Sequence, residues 1–146
     1  MQPITPDLSS RPLECTIEQT LAVSPDVVYG AFTDQFDRWF AAPGTLLLKA
    51  EVNVPFFFET HFDGQRHPHY GRFLELIADE RLVLTWVTGT PGTKGAETVV
   101  TIDLASHNGG TRVKLTHAGF ADEESRDGHQ DAWPQVFAHL ESCMAD

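Results

Sequence analysis

The stretch ETVVTIDLASHNGGTRVKLTHA, Glu97 to Ala118, carries the clearest pattern in the chain. Val100, Ile102 and Leu104 alternate with Thr101 and Asp103, and Val113, Leu115 and His117 alternate with Arg112, Lys114 and Thr116. A period of two is that of a strand with one face in a core and the other in water. Between the two runs stands Asn108-Gly109, a pair that accepts the positive φ angles of a two-residue hairpin turn. The stretch therefore predicts two antiparallel strands whose inward row ends in His117.

Upstream, the same reading gives strands at Leu46 to Val52, Pro55 to Phe62, His69 to Ile77 and Arg81 to Val87, with Asp63-Gly64 as a second hairpin turn. Leu82, Leu84 and Trp86 form an inward row, and Val83 and Val87 suggest that the opposite face is covered as well. A first strand runs from Leu13 to Val23 and stops at Ser24-Pro25. No segment between strands has room for the crossover helix that parallel pairing requires. The expectation is one antiparallel sheet of six or seven strands. After the first strand, Ser24, Pro25 and Asp26 start a short helix through Phe32. Phe36, Trp39 and Phe40 then predict a second one over Asp34 to Phe40.

Downstream, Trp133, Val136, Phe137, Leu140 and Met144 recur as the apolar stripe of a helix lying on the sheet, and Asp122 to Asp131 would be its polar first part. Pro134 lacks an amide proton and disfavours helical geometry in Trp133, which predicts a kink or a restart between Gln130 and Pro134.

Ten Phe and three Trp in a chain of 146 residues, 41% apolar, supply large side chains for one core or for the wall of a cavity. A formal charge of −11 with scattered cations argues against nucleic acid as a partner. No run is long and apolar enough to span a membrane. Residues Met1 to Pro12 lack the basic start and apolar stretch of a signal peptide, so a flexible tail on a domain covering 13–146, and a cytoplasmic location, are expected. Cys15 and Cys143 stand in no metal-binding spacing and read as reduced thiols.

The order strand, two short helices, strands, long helix resembles the helix-grip domains of the START and Bet v 1 type. Val23-Ser24-Pro25, Ala31-Phe32-Thr33-Asp34, Arg38-Trp39-Phe40, Arg81 to Trp86, Gly110-Thr111 to Thr116-His117 and Trp133-Pro134 resemble, in order and spacing, the motifs of the family named for the activator of the heat-shock protein 90 ATPase. The resemblance runs from about Leu13 to the C-terminus. Ala132 stands where the family usually has glycine, and Val54-Pro55-Phe56 replaces a usual glycine pair. What the resemblance implies is an α+β fold with a curved sheet around the last helix and a cavity between them.

A ligand in such a cavity would meet Trp39, Tyr70, Trp86, His117, Trp133 and Phe137. His117 reads either as a hydrogen-bonded core residue or as a polar ligand contact, and Tyr70 faces in or out. His61, His67 and His69 flank a hairpin turn, but the phase that turns Phe56, Phe58 and Phe62 inward leaves Glu59 and His61 outward, so no metal site and no cofactor is expected. No nucleophile elbow or phosphate-binding glycine loop occurs. Three functions stay open: binding of a small apolar or aromatic molecule, co-chaperone-like or other protein interaction including a homodimer, and cavity catalysis of the cyclase or dehydratase type with a pair such as His117 and Tyr70.

Overall fold

A computed structural model describes residues 3–90 and 92–145. The hairpin predicted from Glu97 to Ala118 is present as β5 (Thr98–His107) and β6 (Gly110–Ala118). Asn108 and Gly109 adopt φ of 47° and 81°, the left-handed values that a tight hairpin turn demands. Asp63 and Gly64 (φ 56° and 76°) make the second such turn, joining β2 (Pro55–Phe62) to β3 (Gln65–Ile77). With β1 (Glu14–Leu21) and β4 (Arg81–Thr88) they form one curved, six-stranded antiparallel sheet ordered β1-β6-β5-β4-β3-β2.

The seventh run, Leu46 to Val52, is not a strand. It touches the sheet at two isolated bridges, Leu47 with Phe57 and Val52 with Phe73. The chain turns away at Asn53, whose φ is 69°, and Leu47 and Val52 lie exposed, so no buried face rewards a continuous ladder. Residues 42–47 nonetheless satisfy the outer edge of β2. Leu47 exchanges both backbone hydrogen bonds with Phe57, and the carbonyl and amide of Glu59 are met by the Ala42 N–H and the Thr45 hydroxyl.

After β1 come α1 (Pro25–Ala31) and, in place of the second predicted helix, a single 3-10 turn over Phe36–Arg38. The last helix, α2 (Glu123–Met144), runs 22 residues without a restart at Pro134. Its start is fixed by Asp122, which accepts the Ser125 N–H. The carbonyl that Pro134 deprives of a partner is that of Gln130, an exposed residue, and a carbonyl open to solvent costs little when its helical bond is lost.

The core lies between α2 and the concave face of the sheet. Leu82, Leu84, Val100, Ile102, Val113 and Leu115 present the predicted inward rows, fully or almost fully buried, to Phe137 and Leu140. Phe32, Phe36 and Trp39 close one end by edge-to-face and stacked contacts. On the convex side Thr85 and Val87 are buried too. The N-terminal segment is held by Arg11, which donates to the carbonyls of Gly119 and Glu97 (both 2.8 Å), and by Arg72, which donates to that of Ile4.

Candidate functional site

The other end of the helix–sheet interface is not filled. Trp86 and Thr88 finish the inward row of β4, His69 lies on the same face of β3 opposite Thr88, and His129, Ala132, Trp133 and Val136 belong to one side of α2. Together with Phe40 they wall a cleft of about 420 Å³ that opens beside the β2–β3 hairpin, with Phe62 and Arg66 at its lip. The loop after β4 forms the remaining wall. Thr88 and Thr93 bond each other's amides through their hydroxyls, and Gly92 lies so close that a Cβ there would fall 1.8 Å from the Thr88 hydroxyl oxygen. Lys94 ties the loop to α2 through Asp122 (2.9 Å) and Glu124 (2.5 Å), and the Ser125 hydroxyl donates to the Gly92 carbonyl. The mouth is thus braced on both sides.

Aromatic rings dominate the wall. Trp86 and Trp133 lie 5.8 Å apart, and His69 stacks on Phe58 at 4.9 Å while meeting Trp86 and Phe40 edge-on. Burial pushes the His69 pKa down to about 4 and lowers that of His129, because a desolvated imidazole resists charge. Both rings are neutral at neutral pH.

Behind the wall, His117 is fully buried between a donor and an acceptor. The Trp133 Nε1–H donates to His117 Nδ1 at 3.0 Å, so the proton of the neutral ring is on Nε2, which donates to the Thr98 hydroxyl at 2.7 Å; that hydroxyl donates to the Trp86 carbonyl at 2.5 Å. Every group in the chain Trp133, His117, Thr98, Trp86 is used, and burial holds the His117 pKa well below its ordinary value.

A family model described as activator of Hsp90 ATPase homolog 1-like protein matches residues 22–145. The chain belongs to this family. Among solved structures, CV1439 from Chromobacterium violaceum is similar at 24% identity and a TM-score of 0.76, covering 91% of this chain and 97% of that one. Mll3558 from Rhizobium loti is 23% identical with a TM-score of 0.73, covering 89% and 95%. The Aha1 dimer from Colwellia psychrerythraea, solved in solution, is 17% identical with a TM-score of 0.70, covering 90% and 96%. At these identities the likeness shows the shared fold alone. No curated protein matches the sequence.

Within this member of the activator-like family, two of the six residues expected at a ligand line the cleft: Trp86 and Trp133. His117 stands behind the wall against Trp133 and His129, and Phe137 lies beneath it, fully buried against Phe32 and Trp133. Trp39 is packed at the closed end, its Nε1–H donating to the Ala31 carbonyl at 2.8 Å. Tyr70 faces out on the convex side, 47% exposed, because the strand phase that buries His69 and Phe73 turns it away. The pair His117 and Tyr70 is therefore on opposite faces of the sheet and forms no acid–base site. Of the outward residues, His61 is exposed but Glu59 is buried beneath Arg66, which donates to it at 2.7 Å; Phe62, although in the inward phase, projects past the core. Among the described residues no three potential metal ligands converge, and no helix is long and apolar enough to cross a membrane.

His69 and His129 are wall residues that the sequence did not assign to the site. Counting back by twos from Phe73 reaches His69, and counting back four from Trp133 reaches His129. Those two periodicities were the available signal.

Proposed function

We propose that this chain binds a small apolar, aromatic molecule in the cleft between α2 and the β2–β3 end of the sheet. The observation that carries the reading is the wall itself: three rings, Phe40, Trp86 and Trp133, surround about 420 Å³ beside a core that is otherwise closely packed. Pockets of this size with aromatic walls and few polar groups suit compact apolar ligands. Trp86 and Trp133 make binding visible, since a guest must change the surroundings of both indoles. Tryptophan emission titrated with a set of aromatic and acyl compounds should respond saturably, and Ala132→Phe, which fills the cleft from the helix side, should abolish the response. A folded protein whose emission answers none of these compounds, or answers them equally after Ala132→Phe, sinks the proposal.

Phe62 favours a second reading. It is 74% exposed at the lip, where an apolar side chain of a protein partner or a second copy would cover it. Sedimentation across a hundredfold dilution separates the readings. A concentration-dependent dimer lost in Phe62→Ser supports the protein partner, and a monomer throughout supports the small molecule.

A further inference from the structure

The cleft offers two hydrogen-bond acceptors at its buried end. The His69 Nδ1–H donates to the His67 carbonyl at 3.1 Å, and the His129 Nδ1–H donates to the Ser125 carbonyl at 2.8 Å. A carbonyl can only accept, so each ring carries its proton on Nδ1 and presents a bare Nε2. Among the described residues neither Nε2 has a partner, yet no buried side-chain polar atom lacks one. Both nitrogens must therefore reach accessible space, and both residues line the cleft. Their rings are immobilised: His69 by Phe58, Trp86 and Phe40, and His129 by Phe120 at 5.1 Å and His117 at 4.8 Å.

Of the other polar side chains of the wall, Thr60 and His67 are paired across the β2–β3 hairpin, half-buried, and able to donate as well as accept. The Thr88 hydroxyl is turned into its own loop, against Gly92 and the Thr93 amide. Arg66, the one cation of the lining among the described residues, stands exposed at the lip and spends Nε and Nη2 on Glu59. Gln65 and Thr90 are exposed at the mouth.

Taking the cleft to be a ligand site, we infer that it selects aromatic molecules bearing a hydroxyl or N–H donor, of the phenol or indole class, and disfavours carboxylates. An aromatic ring fills the space between Trp86, Trp133 and Phe40, and its donor meets an imidazole nitrogen that nothing in the protein supplies. A carboxylate would bring acceptors to acceptors and lose its hydration without replacement.

The test is a matched series, 4-propylphenol, 4-propylanisole and 4-propylbenzoate, titrated at neutral pH by ligand-observed NMR. The phenol should bind roughly fivefold tighter than the anisole, the effect of one net hydrogen bond, and the benzoate should bind weakest. In His69→Phe or His129→Phe the preference for phenol over anisole should fall toward one. Equal affinity of phenol and anisole for the unmodified protein, a benzoate that binds tightest, or a preference untouched in both variants overturns the inference and leaves the cleft reading standing. Binding of none of the three by the folded protein overturns both. The ligand series on the unmodified chain decides even where a variant does not fold.

Discussion

Near Phe137 and Leu140 the last helix sits on the sheet with every side chain spoken for; one turn earlier, near His129 and Trp133, it stands off and leaves a cleft. Aromatic residues occur at both places, and a buried histidine, His117, stands in the core directly behind the cleft wall, so composition does not separate core from cleft. What separates them is where the second nitrogen of each imidazole goes. His117 has one partner on Nδ1 and another on Nε2, and becomes part of the core. His69 and His129 have one each. An end that closes its hydrogen bonds internally contributes stability, and an end that leaves acceptors open is suited to taking in a guest.

Substitutions in the packed core should cost the most. Phe137→Ala removes a fully buried ring touching Phe32 and Trp133, and urea unfolding should show a loss of about 3–5 kcal/mol. A loss below about 1 kcal/mol would mean that the core is loosely packed and that the comparison fails. His117→Ala, which leaves the Trp133 Nε1–H without an acceptor and opens a cavity, should cost roughly 3 kcal/mol in the same measurement.

A smaller effect comes from pH and belongs to the open end. The folded pKa of His69, about 4, lies below the ordinary 6.5 because of burial, so on acidification the unfolded chain takes up the proton first. This contribution leaves stability intact above about pH 7 and erodes it as pH falls from 6.5 toward 4, by about 2 kcal/mol at pH 5. His69→Phe should flatten that part of the stability curve measured from pH 7 to 5. An unchanged slope would place the titration elsewhere.

The smallest change in stability is expected at the lip. Phe62→Ser should leave unfolding within about 0.5 kcal/mol of the parent while weakening ligand or partner binding severalfold. A stability loss comparable to that of Phe137→Ala would make Phe62 a core residue and erase the distinction between the two ends.

The strands of the sheet were legible because alternation in Glu97 to Ala118 and the turns at Asp63-Gly64 and Asn108-Gly109 agree with one another. Leu46 to Val52 misled because apolar content without a buried face does not make a ladder. Pro134 misled because the carbonyl it frees lies at the exposed Gln130, so the helix continues. For the cleft, phase pointed to Trp86 and Trp133 but could not say where packing stops. His117 and Phe137 share the inward direction with them and differ only in having neighbours on all sides, a fact of three dimensions. His69 was readable from Phe73 by period two, but its position beside a turn suggested a solvated residue.

The short passage at 42–47 bears on how the molecule behaves in concentrated solution. A sheet ending in unspent amides invites a neighbouring chain to add itself as the next strand, the first step of fibre growth. Here the edge groups of Phe57 and Glu59 are consumed within the same molecule by Leu47, Ala42 and Thr45, and the opposite margin sets out Glu14 and Glu18 as like charges. Crowded copies therefore meet a β2 edge already occupied at Phe57 and Glu59, which makes the sheet a poorer nucleus for aggregation while the aromatic cleft stays uncovered.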